Sequence, residues 1–272
     1  MAYIGKTIRL NRILSDKSRK YLGLTIDHAM ARGVLPGLDS IKATLENFVA
    51  GNPDAITMHK GIAQRFSETF AGKVPFVLKC STFGLYHSCI DVPVADVEEG
   101  IRLGADAISV GCIVGGDDQP DQLQMLANYC RNAESVGLPI FAHIYPRGNQ
   151  IPDKDQTKWE NVLYATRIAA ELGVDLIKTN YTGDPESFAK VVRGTPAPVV
   201  IAGGNDIHTA QKMLETTIDA LTAGAIGVTY GRVVFQYKNP TALIKTLHAI
   251  IHQNYCIGKA MAYLSELEST ID

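Results

Sequence analysis

The segment Val174-Asp175-Leu176-Ile177-Lys178-Thr179-Asn180-Tyr181-Thr182 places a lysine inside a run with the composition of a buried strand. A parallel strand that is buried on both faces is normally apolar along its length, and lysine is almost never fully buried unless it is paired. Lys178 is therefore paired, exposed at the end of the strand, or chemically active. An amphipathic helix that ends at Gly173 is predicted before this strand, and another helix is predicted from about Pro185.

The same unit of apolar strand and helix recurs along the whole chain. Seven further strands are predicted, at residues 22–27, 55–58, 75–80, 107–112, 139–145, 198–204 and 225–231. Eight such units predict an α/β fold, a (β/α)8 TIM barrel, in one domain over residues 1–272, because barrels of this type have about 250 residues. The alternative is a doubly wound open sheet, but no G-x-G-x-x-G follows the first predicted strand.

Several segments outside the strands carry weaker predictions. The residues before Leu22 are expected to form a polar lead-in, and a long loop is expected after Cys80, with another loop after Asp27. Asp206 is predicted to cap a helix that runs to about residue 223. Residues 255–272 lie beyond the eight units, and their apolar spacing predicts an extra C-terminal helix, which either caps the barrel or joins a subunit contact.

The composition limits the classes of partner that the protein is expected to bind. The chain has 26 basic and 28 acidic residues, a formal net charge of −2, so it lacks the charge expected for binding nucleic acid or an anionic membrane. No apolar run approaches the roughly 18 to 20 residues of a membrane span, and residues 1–6 lack the apolar core of a signal peptide. We therefore expect a cytoplasmic protein that acts on small molecules.

Two loops at the predicted barrel mouth suggest a phosphate site. The active site of a barrel lies at the C-terminal ends of its strands, and the loops after the seventh and eighth strands commonly bind phosphate. Here these loops contain Gly203-Gly204 and Gly231-Arg232. Glycines allow backbone N–H groups to approach closely, and arginine can form bidentate hydrogen bonds. The alternative is a pair of tight turns with a surface arginine.

Three lysines near strand ends, Lys60, Lys79 and Lys178, could each be an amine nucleophile. Such an amine must be unprotonated to attack a carbonyl, and burial or a neighbouring cation lowers its pKa. The alternative for each lysine is an ion-paired residue at the barrel mouth. Their positions in the sequence do not choose among them.

Tyr145 and Asp27 are candidates for proton transfer. Tyr145 ends the fifth strand, and Phe141 and His143 share its side of the strand because side chains alternate. If that side is the barrel interior, the phenol lies at the mouth and can move protons; otherwise it packs under the next loop. Asp27 could act as an acid or base, or could pair with a lysine.

Metal and cysteine chemistry find less support. Asp27, His28 and His59 match no standard set of metal ligands, so we expect no metal and no other cofactor. The five cysteines include no C-x-x-C pair, which argues against a disulfide framework or a zinc knuckle. Cys80 and Cys112 fall near strand ends, but neither has a nearby base that would make it a nucleophile.

Several motifs together resemble a known enzyme family. They are residues 145–148 (YPRG), 177–184 (IKTNYTGD), 197–204 (APVVIAGG) and 231–236 (GRVVFQ), with the Asp27-His28 pair and residues 5–10 in addition. The chain resembles the archaeal-type class I fructose-bisphosphate aldolases and the related aminodideoxyheptulosonate synthases, the DeoC/FbaB aldolases. The likeness spans nearly the whole chain.

The resemblance implies a role for each residue in these motifs. Lys178 would form a Schiff base with the substrate, Tyr145 would transfer protons, and Asp27 would act as acid or base. Substrate and phosphate binding would fall to the remaining residues, namely Gly203, Gly204, Gly231, Arg232, His28 and Arg147.

The resemblance also implies a reaction. We expect an enzyme, usually a homo-oligomer, that cleaves or forms a carbon–carbon bond in a ketose phosphate such as fructose 1,6-bisphosphate. One alternative is aldol transfer onto aspartate semialdehyde, and another is a phosphosugar-binding barrel without catalysis. Two departures leave the substrate open: Val233 stands where the family usually has asparagine, and His143 replaces the tryptophan of some fructose-bisphosphate aldolases.

Overall fold

The structure is a computed structural model that describes residues 4–14, 16–204 and 209–269. Its strands are β1 (Tyr21–Thr25), β2 (Ala55–Met58), β3 (Phe76–Lys79), β4 (Ser81–Gly84), β5 (His87–Pro93), β6 (Ala107–Val114), β7 (Ile140–Pro146), β8 (Leu176–Thr179), β9 (Val199–Ala202) and β10 (Gly227–Tyr230). Within these residues, eight parallel strands close into a barrel in the order β1-β10-β9-β8-β7-β6-β3-β2. The predicted (β/α)8 barrel is confirmed.

Helices connect the strands and surround the barrel. They are α1 (Ile4–Ile13), α2 (His28–Arg32), α3 (Ile41–Gly51), α4 (Lys60–Arg65), α5 (Ser67–Phe70), α6 (Val97–Arg102), α7 (Gln119–Ser135), α8 (Trp159–Glu171), α9 (Pro185–Gly194), α10 (Ala210–Thr222), α11 (Arg232–Phe235), α12 (Pro240–Gln253) and α13 (Ile257–Ser269), with a 3-10 turn at Asp153–Asp155. The extra C-terminal helix is confirmed as α13, which packs on α10 and α12 and buries Ala260 and Leu264. No helix in the described ranges is long and apolar enough to cross a membrane.

The barrel interior changes from apolar to polar along the strand direction. The lower layer is a cluster of apolar side chains, Ile13, Tyr21, Ala55, Val77, Ala107, Phe141, Leu176 and Val200. Side chains two residues further along a strand point to the same side. In β2, β3, β6, β7 and β8 these next residues are all polar and buried, and we call them the polar layer: Thr57, Lys79, Ser109, His143 and Lys178. The strands thus carry polar groups toward the C-terminal mouth above an apolar base.

The residues before β1 are not a polar lead-in, and that prediction was wrong. They form α1, whose Ile13 is fully buried in the lower layer of the barrel. Arg9 Nη1 donates a hydrogen bond to the carbonyl of Gly137 at 3.0 Å. Ile4 and Ile8 stay exposed, so the helix depends on docking beneath the barrel more than on a continuous apolar face, and its sequence pattern is correspondingly weak.

The segment after β3 is not a long loop. It is the antiparallel hairpin β4–β5, in which Gly84 pairs with His87 across a two-residue turn. The turn residues Leu85 and Tyr86 are not the Asn-Gly or Asp-Gly pairs that mark such hairpins in a sequence. The loop predicted after Asp27 likewise contains the short helix α2.

The predicted helix cap at Asp206 lies outside the described residues. Helix α10 begins at Ala210, and the N-cap is Thr209, whose hydroxyl accepts a hydrogen bond from the backbone N–H of Lys212 at 3.1 Å. Strand β8 is also shorter than the segment that predicted it. Asn180, Tyr181 and Thr182 lie beyond its end, and both Asn180 and Tyr181 line the mouth of the barrel.

Candidate active site

A cavity of about 1030 Å³ opens at the C-terminal ends of the barrel strands. Every residue to which the family resemblance gives a role lies on its wall: Asp27, His28, Tyr145, Arg147, Lys178, Gly203, Gly204, Gly231 and Arg232. These residues come from the ends of five different strands, and only closure of the barrel brings them together. The cavity is therefore the candidate active site.

Lys178 presents an amine to this cavity without a bonding partner. The residue lies in β8, in register with His143 of β7 and Val200 of β9, and is 8% exposed. It forms no hydrogen bond or ion pair with any residue that the structure describes. Burial lowers the pKa of Lys178 to about 8; the charges of Lys79 and Arg32 also lower it, against the opposing charge of Asp27. The unprotonated amine is thus available near neutral pH.

Asp27 lies directly after β1 and faces several basic groups. Its Oδ1 is 3.5 Å from His28 Nδ1, and its Oδ2 is 3.9 Å from His143 Nδ1. Burial acts to raise the pKa of Asp27, but the neighbouring His28, Lys79 and Lys178 hold that pKa well below its usual value. Asp27 is therefore ionised, and it counterbalances the charge of the buried lysines without a direct salt bridge to either.

Two histidines beside Asp27 are held neutral. Burial lowers the pKa of His28 to about 4, and burial together with Lys79 and Lys178 lowers the pKa of His143 well below its ordinary value. His143 Nδ1 lies 3.3 Å from the amine of Lys79. Since a neutral imidazole keeps one acceptor nitrogen, His143 can accept a hydrogen bond from Lys79.

The three candidate lysines therefore have different surroundings. Lys79 is 5% exposed and lines the cavity, so it is not an exposed residue at the mouth. Lys60 lies outside the cavity and pairs with Glu99 at 2.7 Å. Only Lys178 of the three combines a place on the cavity wall with the absence of a partner among the described residues. The sequence did not distinguish these surroundings, because they depend on contacts between strands.

Tyr145 extends from β7 to the cavity wall, on the side that it shares with His143. Burial raises the pKa of Tyr145 above its usual value, so the phenol keeps its proton. Beside it, the guanidinium carbon of Arg147 lies 5.8 Å from the Tyr145 ring centre and 4.3 Å from that of Phe83. The Nη2 of Arg147 donates a hydrogen bond to the carbonyl of Ser88 in β5 at 2.7 Å.

The two glycine loops follow the neighbouring strands β9 and β10 and lie side by side. Gly203 and Gly204 follow β9, Gly231 precedes the short helix α11, and Arg232 Nη2 donates to the carbonyl of Gly204 at 3.0 Å. A Cβ atom at Gly231 would overlap the ring of His28 and the side chain of Thr25. Glycine at this position thus lets β10 and the residues after β1 approach closely.

Asp91 is a site residue that sequence reasoning missed. It belongs to β5, lines the cavity, and is 4% exposed. A Cβ atom at Gly111 of β6 would overlap its carboxylate, so the glycine provides the space for it. No sequence pattern indicated this residue, because the segment was predicted to be a loop and the close approach of β5 to β6 is a tertiary contact.

The cysteine interpretation finds no support in the structure. Cys80 and Cys112 are fully buried, and burial raises the pKa of each thiol to about 12. Neither lines the cavity. Over the described parts of the chain, no group of three or more His, Cys, Asp or Glu residues is placed to hold a metal ion.

The chain matches the model of one enzyme family. The model of the DeoC/LacD family of aldolases matches residues 22–237. The chain belongs to this family. The resemblance inferred from the sequence is confirmed, and this aldolase is an enzyme of the class I type.

Two relatives by sequence are named as synthases. The 2-amino-3,7-dideoxy-D-threo-hept-6-ulosonate synthase of Halobacterium salinarum is 38% identical over 256 residues, which cover 93% of the aldolase and 94% of that protein. The 2-amino-4,5-dihydroxy-6-oxo-7-(phosphonooxy)heptanoate synthase of Streptomyces griseus is 29% identical and covers 96% of the aldolase and 95% of its own length.

Two structures at 29% identity are those of archaeal fructose-bisphosphate aldolases. An archaeal fructose 1,6-bisphosphate aldolase superposes with a TM-score of 0.83 at 29% identity, over 91% of this chain and 99% of its own. A second structure of an archaeal fructose-1,6-bisphosphate aldolase, with the same TM-score, identity and coverage, has its catalytic lysine covalently bound to the carbinolamine intermediate of the substrate.

Proposed function

We propose that this aldolase makes or cleaves a carbon–carbon bond of a phosphorylated ketose through a Schiff base on Lys178. The observation that carries the proposal is the Lys178 amine on the cavity wall, which has no partner among the described residues and whose pKa is lowered to about 8. A lysine amine that is desolvated and lies near another cation is the usual form of an activated amine nucleophile.

The first half of the reaction uses the lysine and the ionised aspartate. The Lys178 nitrogen attacks the ketone carbon to give a carbinolamine, which loses water to form an iminium ion. Asp27 is negatively charged and close to this centre, so it balances the positive charge of the iminium. Asp27 then takes a proton from the adjacent carbon, which converts the iminium to an enamine. The enamine carbon is the nucleophile for carbon–carbon bond formation.

The second half moves a proton to or from the acceptor oxygen. The enamine carbon attacks the aldehyde carbon, the aldehyde oxygen takes a proton, and water then releases the product from Lys178. Tyr145 keeps its proton because burial raises its pKa, and it lies on the same wall as Lys178. We assign the phenol as the proton donor to the aldehyde oxygen, and as the acceptor of that proton in the cleavage direction.

The glycine loops supply the place for the substrate phosphate. Gly203, Gly204 and Gly231 expose backbone groups at the mouth, and Arg232 ties the two loops together. The neutral His28 fills the gap beside Gly231 and packs on Phe235 at 5.3 Å between ring centres. Fixing the phosphate here would hold the ketone carbon near the Lys178 amine, which converts binding into orientation.

The names of the relatives are consistent with two reactions that differ in the acceptor aldehyde. The structural relatives act on fructose 1,6-bisphosphate. The Streptomyces griseus relative is named for a product with 2-amino, 4,5-dihydroxy, 6-oxo and 7-phosphonooxy groups. An aldol bond between carbons 4 and 5 of that product divides it into dihydroxyacetone phosphate and aspartate semialdehyde, so the ketone half can be the same in both reactions.

Reductive trapping tests the Schiff base directly. The enzyme is incubated with dihydroxyacetone phosphate and borohydride, digested, and mapped by mass spectrometry. We expect the adduct on Lys178 and its complete loss in Lys178→Arg. Lys60→Arg is the matched control, because Lys60 lies outside the cavity, and it should keep the full yield. An adduct on another lysine, or none in the wild type, contradicts the proposal.

A comparison of substrates separates the two acceptors. Cleavage of fructose 1,6-bisphosphate is measured beside condensation of dihydroxyacetone phosphate with aspartate semialdehyde, at equal enzyme concentration. The larger kcat/KM identifies the acceptor class to which the cavity is complementary. A wild-type enzyme that forms the Lys178 adduct but turns over neither substrate would exclude both acceptors.

A further inference from the structure

We propose that Asp91 and Arg147 form a subsite for the amino-acid end of an acceptor aldehyde, with Asp91 binding its ammonium group and Arg147 its carboxylate. This inference rests on the function proposed above and adds the acceptor class. It concerns the wall of the cavity formed by the hairpin β4–β5 and the turn after β7, across from the glycine loops.

Asp91 is a buried carboxylate with one oxygen engaged and one available. Oδ1 accepts a hydrogen bond from Ser81 Oγ at 3.0 Å. Within the residues that the structure describes, Oδ2 receives no hydrogen bond, and no cationic group lies within ion-pairing distance of the carboxylate. Because the residue lines the cavity and is only 4% exposed, Oδ2 is an acceptor that a bound ligand can use.

The position of Asp91 is fixed from several sides. Its backbone N–H donates to Gln122 Oε1 at 3.2 Å, and its carbonyl accepts from Gln122 Nε2 at 2.9 Å. Ser81 Oγ, which donates to the carboxylate, accepts a hydrogen bond from the backbone of Gly111 at 2.7 Å. Burial raises the pKa of Asp91, mainly against the charge of Lys79. A buried charge is costly unless it has a partner, so a cationic ligand at Oδ2 would favour the ionised carboxylate.

Arg147 lines the same cavity as Asp91 and can bind the carboxylate of the same ligand. Its Nη2 is held by the carbonyl of Ser88, which lies three residues before Asp91 in β5, and its guanidinium lies over the Phe83 ring. Its Nε is buried and has no hydrogen-bond partner in the part of the chain that the structure describes. The hairpin therefore orients one cation and one anion toward the same part of the cavity. The two charges are close enough for each to influence the pKa of the other.

The charges of the cavity favour an ammonium group as the ligand of Asp91. Most charged residues at the mouth are basic, among them Arg32, Lys154, Lys212 and Arg232. Those cations can bind phosphate and carboxylate groups. Asp27, the other enclosed acid, lies near Lys79 and Lys178. Among the described residues, Asp91 is the enclosed acid that has no cationic group at ion-pairing distance. An ammonium ion neutralises it and supplies charge-assisted hydrogen bonds, which are stronger than the bond from a sugar hydroxyl.

The test compares two aldehydes that differ by one amine. Condensation of dihydroxyacetone phosphate is measured with aspartate semialdehyde and with succinate semialdehyde, which has the carboxylate but no ammonium group. For Asp91→Asn we expect kcat/KM to fall about 10- to 100-fold with aspartate semialdehyde. With succinate semialdehyde it should change less than about threefold, because asparagine keeps the shape of the side chain but not its charge.

The variant Arg147→Gln tests the assignment of the carboxylate. Both aldehydes carry a carboxylate, so this variant should lose a similar factor with each of them, about 10-fold or more. With propanal, which has neither group, Arg147→Gln should lose a smaller factor than it loses with either semialdehyde. An equal loss by Asp91→Asn with aspartate semialdehyde and succinate semialdehyde overturns the ammonium assignment. No condensation of either semialdehyde by an adduct-forming wild type overturns the whole subsite.

Borohydride trapping distinguishes a failure of the Schiff-base function from a failure of the acceptor subsite. If Asp91→Asn still forms the dihydroxyacetone phosphate adduct on Lys178, the variant is folded and active in its first step. A loss of its preference for aspartate semialdehyde then reflects binding of the acceptor alone. If the wild type itself gives no adduct, the Schiff-base function fails. If it gives the adduct but shows no preference that depends on Asp91, only the acceptor subsite fails.

Discussion

Lys79 and Lys178 occupy the same polar layer of the barrel, yet their amines have different surroundings. The Lys79 amine lies 3.3 Å from His143 Nδ1, whereas the Lys178 amine has no partner among the described residues. The charge of Lys79 also contributes to the lowered pKa of Lys178. At the scale of single residues, Lys178 is therefore placed to react, and Lys79 is placed to lower the pKa of Lys178.

The first prediction concerns pH. The protonated Lys178 amine cannot attack a carbonyl, so kcat/KM should rise with pH and level off above about 8, the pKa of that amine. Lys79→Met removes a positive charge that disfavours protonation, and the midpoint should move to higher pH. Lys79→Arg keeps the charge and should leave the midpoint near the wild-type value. A pH–rate profile of the three enzymes checks this, and a Lys79→Met midpoint at lower pH contradicts it.

The second prediction concerns the phenol. Tyr145→Phe removes the proton donor but leaves Lys178 and the phosphate loops in place. We expect kcat to fall about 10²- to 10⁴-fold, the usual contribution of a general acid or base, while borohydride still traps the ketone on Lys178. Loss of the adduct together with the activity would show instead that Tyr145 is needed for the fold of the site.

At the scale of elements, the site depends on close approaches between loops that follow different strands. Gly231 after β10 touches His28 and Thr25 from the end of β1, and a Cβ atom has no room there. The hairpin β4–β5 approaches β6 in the same way, at Gly111. The strands were predicted well because each has its own apolar composition. The hairpin and α1 were not, since a turn of Leu85-Tyr86 and a helix with exposed isoleucines lack the local patterns of such elements.

The third prediction follows from this packing. Gly231→Ala should push His28 away from β10, raise KM for dihydroxyacetone phosphate, and lower the free energy of unfolding by about 1–3 kcal/mol, the usual cost of overpacking. Gly61→Ala is the matched control, because a Cβ atom at that helical glycine meets nothing within 4 Å. Denaturant unfolding and steady-state kinetics measure both effects. Equal behaviour of the two variants would mean that the loops adjust freely.

At the scale of the whole molecule, the barrel separates stability from chemistry along its axis. The apolar lower layer, closed by Ile13 of α1, contributes burial, and the polar layer above it carries the buried lysines and His143. The same alternation of side chains builds both layers, since residues two apart on a strand share the interior. A change in the lower layer should therefore affect stability more than catalysis.

The fourth prediction tests that separation. Ile13→Ala should lower the free energy of unfolding by about 2–5 kcal/mol, the range for truncating a fully buried isoleucine. The value of kcat should stay within about twofold of the wild type at a temperature where both enzymes are folded. Ile8→Ala, on the exposed side of the same helix, should change neither quantity. A large loss of kcat in folded Ile13→Ala would show that α1 influences the mouth of the barrel.

The sequence by itself determined the alternation of strands and helices, the barrel, and the family, because these follow from local composition and from short motifs at strand ends. It also named the residues that prove to line the cavity, since barrel strands all deliver their C-terminal ends to one face. Only the tertiary structure decided which lysine lacks a partner and how Asp27 is surrounded. It alone placed Asp91 beside the substrate space, because burial and charge at each of these residues are set by neighbours distant in the chain.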